Sequence, residues 1–532
     1  MVRTPGTNLY TGGGSSNTGG AVNIQFISRN AINVPPTIRV YMNYRDSTMR
    51  GLIYPVPTIP NSTANTAANP QAYQGLWDIM LDEPRHSVYI SNPGYNHIEV
   101  FDTQKLAFQT PMVAGQLPHQ MAMSLDGTIL YVANIGSETI TMVDLDIQTV
   151  IGTIQFPPVP RNATAAPVFV QGMGTGLSGL QVLRSDGNLW EAIGNFAVPR
   201  VGTSVTGVSS SGAQTPVNGP TVATMLASTD GYYGFLLAGN GSGYLYNGLL
   251  DTYTTSANGL VSSTLGFYGP LGVAPGGAFF LADGLVMNQG LAAIGGAASP
   301  GQVTITFPTA PGQPPSVGVT STGLRNVAAL APVDQRYFVR MSTPVRTNLT
   351  TATSDDVHTI LEAVDTTTGT STTAARMPEN PTVSEFGTTR TPMPPHQMVI
   401  DSNGVVYALT LSGLSVVPLT PATTSTQPEI ANGGIVNPAD GTANVQPGSL
   451  ITINGKNLAS QATAADPNAP PTVLGGSCVL VDNVAIPLLA TSPTQISAQL
   501  PDTTNSGPNV VQVQSLWMAQ ASGRVVVTIQ KP

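Results

Sequence analysis

Apolar and polar positions along this chain alternate in short runs. The stretch 118–146 reads PHQMAMSLDGTILYVANIGSETITMVDLD. HQMAMS is followed by a turn, LDGT, then by ILYVAN, a turn through Gly136, and TITMVDLD. Runs of this length with period two, rich in Val, Ile, Thr and Tyr, predict strands. Asp126-Gly127 predicts a tight turn, because Gly accepts positive φ and Asp bonds the backbone two residues on. Asp144, at the end of the third run, is expected to bond backbone amides of the turn that follows it. No 3.6-residue period runs through these segments.

The pattern repeats. Shifting the chain by 42 residues lays Val88-Tyr89-Ile90-Ser91-Asn92 on Leu130-Tyr131-Val132-Ala133-Asn134, and Ile98-Glu99-Val100-Phe101-Asp102 on Ile140-Thr141-Met142-Val143-Asp144. A period near this value, with four short strands per unit, predicts a β-propeller. Units at 76–117 and 118–159 carry the pattern strongly. Weaker copies fall at 167–200, 221–250, 268–297, 324–375 and 395–420. That predicts seven blades. Eight also fit the length, which polar Thr-rich insertions near 200–220, 298–320 and 343–357 otherwise take up. PHQM returns at 395–398, ahead of VIDSNGVVYAL, so His119 and His396 are expected to begin equivalent innermost strands of different blades. Trp77 occupies that position in the first unit. RGLIYPVP (50–57) is expected to supply the strand that closes the last blade, since closing the ring removes exposed sheet edges.

From Pro428 the texture changes, and about seven alternating strands with turn signals between them predict a small β-sandwich. The expected fold is all-β: a β-propeller over 51–425 and an Ig-like sandwich over 428–532. Residues 1–50 are read as a linker carrying a strand from an upstream domain. AVNIQFISRNAINVPPTIRVYMN (21–43) starts like the last strand of such a domain and runs into a Pro-Pro linker.

LYVANIGSETITMVDL (130–145) resembles the YVTN-type β-propeller repeat. The C-terminal part resembles the Ig-like domain appended to secreted proteins of environmental bacteria, acidobacteria especially. The matching residues are Pro447-Gly448-Ser449, Ile453, Gly455-Lys456-Asn457-Leu458, Leu474-Gly475-Gly476 and Ser492-Pro493-Thr494-Gln495-Ile496. Ser497 stands where that pattern has Asn, and Leu500 where it has Val. RVYMNYRDSTMRG (39–51) ahead of a propeller also looks like that family's arrangement. The resemblance implies fold and secretion and implies no reaction.

Composition narrows the picture. Charged residues make up 9% of the 532, against about a quarter in typical globular proteins. The surface must be wetted by Ser, Thr, Asn and Gln, as in many exported bacterial surface proteins. The net charge is −9 and the 19 Lys and Arg are scattered, so a nucleic-acid partner is not expected. No apolar run reaches about 18 residues, which argues against a membrane span. The first residues lack the apolar core of a signal peptide; an extracellular or cell-surface location is expected, with the leader upstream of this chain. Cys478 is the single cysteine; it excludes a disulfide within the chain and is expected to be a buried apolar thiol.

Candidate chemistry is sparse. Of five His, at 86, 97, 119, 358 and 396, His119 and His396 stand out, because innermost strands line a propeller's central channel. With Trp77 they are the candidate channel-lining residues. Two imidazoles there could hold a metal; the plainer expectation is that each packs at the blade top and bonds a neighbouring backbone. The acid pairs Asp82-Glu83 and Asp355-Asp356 are read as solvated turn and insertion residues. GMGTGLSG (172–179) is followed by neither Lys nor helix and is read as a flexible strand start. The sequons at Asn61 and Asn162 are expected by chance. No catalytic residue, metal or cofactor is assigned. The expected function is a non-catalytic binding or structural protein: the propeller is the interaction platform and the sandwich a spacer, anchor or assembly contact. Partners would be a protein, a surface glycan, or further copies joined through the N-terminal strand or the Ig-like domain. The alternative is a propeller enzyme, a lactonase-like hydrolase with a channel metal. Quinone binding is not expected from three Trp.

Overall fold

The computed structural model describes residues 50–58, 75–157, 168–199, 223–238, 243–255, 270–282, 285–294, 325–344, 358–381, 396–419, 427–516 and 525–530, with strand backbone at 22–24, 38–40, 302–307 and 316–321. Most of the insertions near 200–220 and 343–357, both sequons and Asp355-Asp356 lie outside the described residues.

Seven blades follow one another along the chain. Blade 1 comprises Ile79–Asp82, Ser87–Asn92 and His97–Asp102, with Ala107–Phe108 and Met112–Val113 both paired to the third strand. Blade 2 comprises Pro118–Met123, Ile129–Asn134, Thr139–Asp144 and Thr149–Gln155. Its second and third strands begin 42 residues after those of blade 1, as the sequence repeat requires. Blade 3 runs from Val170–Gly176 to Phe196–Pro199 and blade 4 from Ala223–Ala227 to Thr252–Thr255. Blade 5 has Leu271–Val273, Phe280–Ala282 and Leu285–Met287, extended by a bridge from Met287 to Ala293. Blade 6 runs from Arg325–Pro332 to Ser371–Arg376. Residues 302–307 and 316–321, expected to be part of an insertion, form a hairpin on its outermost strand.

Blade 7 closes the ring. Met398–Ile400, Val405–Thr410 and Gly413–Pro418 are completed by Leu52–Pro55, antiparallel, with Leu52 opposite Val416 and Tyr54 opposite Leu414. Arg50 anchors the start of that strand, donating from Nη1 to the carbonyls of Ala374 and Leu419 at 2.9 and 2.7 Å. The strand expected to close the last blade therefore does so, and it comes from the other end of the propeller sequence.

Blade chemistry recurs. Asp144 accepts from the amides of Asp146 and Ile147, Asp102 from those of Gln104 and Lys105, and Asn247 from those of Leu249 and Leu250. These side chains satisfy turn amides that strands leave open. The strand 170–176 bears out GMGTGLSG as part of a strand. It is the innermost strand of blade 3 and is largely buried. A Cβ at Gly172 or Gly174 would meet Met225 or Ala227 of blade 4 at 2.9 or 2.7 Å, so these glycines let two inner strands approach.

The C-terminal part is two sheets. One has the order Glu429–Val436, Leu450–Lys456, Gln495–Gln499, Leu488–Thr491, Thr463–Ala464. The other has Val473–Leu474, Ser477–Val481, Gly507–Ser515, Val525–Ile529. Ile451, Ile453 and Ile496 of the first pack on Val479, Val511 and Val513 of the second. The sandwich also shares a core with the ring at its seam: Val473, Cys478 and Leu516 pack with Leu52, Tyr54, Phe101, Leu106 and Val416. Gly475 N–H donates to Leu106 O at 3.1 Å, and Thr463 Oγ1 to Lys105 O at 2.9 Å. Cys478 is a buried thiol, in no disulfide, inside this joint. The N-terminal strand Val22–Ile24 pairs with Ile38–Val40.

Candidate functional site

The mouth of the ring where the innermost strands begin is built by three neighbouring blades. Trp77 and Asp78 lead into the first strand of blade 1, His119 and Gln120 lie in that of blade 2, and His396 and Gln397 lead into that of blade 7. The register places these pairs at equivalent positions: Ile79 opposes Ile90, Met121 opposes Val132 and Met398 opposes Ala408.

Asp78 is the centre. Its side chain is fully buried, with Oδ1 2.8 Å from His396 Nδ1, and Oδ2 accepts from Met121 N–H at 2.7 Å. One carboxylate thus ties blades 7, 1 and 2. In the tautomer with the proton on Nδ1, His396 donates to this carboxylate and Nε2 is the ring's remaining nitrogen. The His396 side chain is 20% exposed. His119 stacks on Trp77 with ring centroids 3.8 Å apart and planes 16° from parallel. Its Nε2 is buried and has no hydrogen-bond partner. The expectation that both His bond a neighbouring backbone is corrected: His396 is paired with a carboxylate and His119 stacks on the Trp77 ring.

The glutamines continue the belt. Gln120 Nε2 donates to Met173 O and Met225 O, both at 2.8 Å, and its Oε1 accepts from Met173 N–H, which spans blades 2, 3 and 4. Gln397 Nε2 donates to Trp77 O at 2.9 Å. Sequence reasoning singled out Trp77, His119 and His396, and the structure brings them together. It passed over Asp78, Gln120 and Gln397. The 42-residue shift that lays Trp77 on His119 also lays Asp78 on Gln120, and that second polar column was the available signal.

The other candidates sit elsewhere. His86 occupies a turn with φ of 50°, His97 lies 6.2 Å from the Tyr95 ring, and the carbonyl of His358 accepts from Arg325. The solvated reading is corrected for Asp82, which is buried and bonds Arg85 at 3.0 Å; Glu83 is exposed as expected and accepts from Ser402 N–H of blade 7 at 2.6 Å. Among the described residues no group of three or more His, Cys, Asp or Glu is placed to hold a metal ion.

Burial pushes the His119 pKa down from 6.5 to about 3. The unfolded chain takes up a proton below 6.5 that the folded chain refuses, so this residue lowers stability as pH falls through that window. The effect is at most ~1.4 kcal/mol per pH unit. In His119→Phe, which keeps a ring against Trp77, denaturant midpoints are expected to fall less steeply between those pH values than in the parent. Parallel slopes would place His119 in contact with water.

The ring with its appended sandwich defines a seven-bladed β-propeller protein. The family described as "Lactonase, 7-bladed beta-propeller" matches residues 37–156, which hold blades 1 and 2. No curated protein matches the chain. Among solved structures, a chain of the Kuenenia stuttgartiensis hydrazine synthase is similar at 12% identity and TM-score 0.30, covering 63% of this chain and 73% of that one. A chain of a mitotic checkpoint complex is similar at 11% and 0.41, covering 74% and 98%. The Cps50 β-propeller domain of Myceliophteria thermophila is similar at 12% and 0.38, covering 68% and 99%.

Proposed function

We propose that this is a non-catalytic interaction platform of a secreted or surface-exposed protein, in which the ring presents loops to a partner and the C-terminal sandwich, of Ig-like type, acts as a rigid adaptor. The observation that carries this reading is the occupation of the mouth. Asp78, Gln120 and Gln397 are engaged with the backbones of neighbouring blades, so the polar residues at the ring's entrance act as struts. The sparse charge supports a surface-exposed setting, and the core shared by sandwich and ring supports an adaptor that transmits orientation.

A second reading is a hydrolase, and one observation favours it. A buried carboxylate that holds one nitrogen of a partly exposed imidazole is the arrangement of an oriented general base. The match to the lactonase family covers Asp78 and His119, in blades 1 and 2, and does not reach His396. The two readings separate in one experiment, in which the full chain and His396→Gln are assayed on a panel of γ-lactones and aryl esters and on glycan and protein arrays. A platform gives array binding that survives His396→Gln and no ester or lactone turnover that depends on His396. Turnover lost in His396→Gln, with the fold intact by circular dichroism, overturns it in favour of the hydrolase.

A further inference from the structure

The end of the ring opposite the mouth carries a patch that the site above does not use. Turns after the first and third strands of each antiparallel blade lie at this end. Neighbouring turns meet there: Leu177 N–H bonds Gly231 O at 3.2 Å, Gly276 N–H bonds Asp230 Oδ2 at 2.8 Å, and Arg85 reaches Gly127 O at 2.7 Å. In blades 2 to 4 these turns hold Leu125, Ile147, Leu177, Tyr232, Leu249 and Leu250, exposed by 43, 65, 41, 40, 66 and 70%. The turns of Leu125, Leu177, Tyr232 and Leu249-Leu250 adjoin one another. A Cβ on Gly231 would lie 2.8 Å from Leu125 Cδ2, one on Gly248 would lie 3.5 Å from Leu177 Cγ, and Gly248 N–H bonds Tyr232 O at 2.7 Å. Large apolar side chains gathered on turn tips, where polar residues cost nothing, mark a contact surface.

The charge within these turns of blades 2 to 4 is of one sign. Asp126, Asp230 and Asp251 stand in the same turns, each bonded by its own turn or by the Tyr246 hydroxyl. Hydrogen bonds from Ser124 and Thr128 hold Asp126 below the usual carboxylate range. Arg85, at the edge of the area, is already held by Asp82 and Asp146. We propose that this face of blades 2 to 4 docks a basic polypeptide segment, with apolar side chains seated on the Leu125, Leu177, Tyr232, Leu249 and Leu250 patch and Lys or Arg directed at Asp126, Asp230 and Asp251. Anionic lipid would meet like charge here, and a two-fold contact between copies would set the same carboxylates against each other.

The proposal rests on the platform reading and names the partner's chemistry. Its test uses the full chain with a fluorescein-labelled peptide of alternating lysine and leucine, the glutamate–leucine counterpart, and phosphatidylserine vesicles. Saturable anisotropy is expected with the lysine peptide alone. Binding should weaken about tenfold in Leu249→Ser/Leu250→Ser, weaken in Asp126→Asn and with added salt, and stay unchanged in Val484→Ser/Val526→Ser on the sandwich. Amide exchange should slow at 124–128 and 228–232 on binding. Equal binding of the glutamate peptide, or affinity indifferent to Leu249→Ser/Leu250→Ser, overturns the proposal. So does vesicle binding or self-association that this double variant abolishes. If array partners bind through other surfaces while the lysine peptide fails, this inference falls and the platform reading stands.

Discussion

Arg340→Met is expected to destabilise the chain by about 3–5 kcal/mol, seen as a lower denaturant midpoint with an unchanged slope. Arg340 and Glu362 face each other on adjacent strands of blade 6, both fully buried, with Nε 2.6 Å from Oε2. Ser342 Oγ bonds the same carboxylate oxygen at 3.3 Å, and Ser371 Oγ accepts from Arg340 Nη2 at 3.4 Å. Removing the guanidinium leaves the fully buried Glu362 without its ion-pair partner. Removing both charges is a smaller change, because an apolar pair fills the same space without desolvation. Arg340→Met/Glu362→Leu should therefore recover most of the loss. A single variant within about 1 kcal/mol of the parent would show that the pair does not hold blade 6 together.

Gly413→Val is expected to open the ring. Gly413 has φ of 149° and begins the strand that receives 52–55. A Cβ there would press on Tyr54 O and stand 2.6 Å from Val56 N, so both the backbone angle and the closing ladder resist a side chain. The cost should be on the order of 3 kcal/mol or more, because strain and a lost strand pairing add. Cys478 provides a direct readout, since it lies in the core shared by the closing strand and the sandwich. Its reaction with a thiol reagent should be slow in the parent and much faster in Gly413→Val. A variant whose thiol stays protected would mean that the joint with the sandwich survives without the closing pair.

The ring was legible because its repeat is written in backbone terms. Strand length, Asp-Gly turns and a terminal Asp recur wherever four strands must meander, so the 42-residue shift placed blades 1 and 2 and marked the weaker copies through blade 7. The strand 52–55 was legible for a related reason: a closed ring needs a last strand, and RGLIYPVP was the apolar run left over. The site was only partly legible. Trp77, His119 and His396 are conspicuous by type, whereas Asp78 is an ordinary carboxylate until burial gives it three blades to hold. Gln120 likewise bonds carbonyls of Met173 and Met225, two residues with no mark in the sequence. The acidic, leucine-tipped turns were invisible as a surface, because 125, 177, 232 and 250 come together only when blades 2, 3 and 4 stand side by side.

The seam also decides how the molecule bears tension. Strand 52–55 enters, and strand 413–418 leaves, at the same end of blade 7, as antiparallel neighbours must. Pulled apart from residues 50 and 419, they would unzip rung by rung, the weakest way to load a ladder. Arg50 sits at the first rung and grips the carbonyls of Leu419 and Ala374, so a peel must first break a clasp that belongs to neither strand's ladder. The sandwich adds a second route. Being bolted to Leu106 of blade 1, it diverts a pull on the C-terminal end into the neighbouring blade, and traction that would undo the ring instead presses on a wall of packed strands.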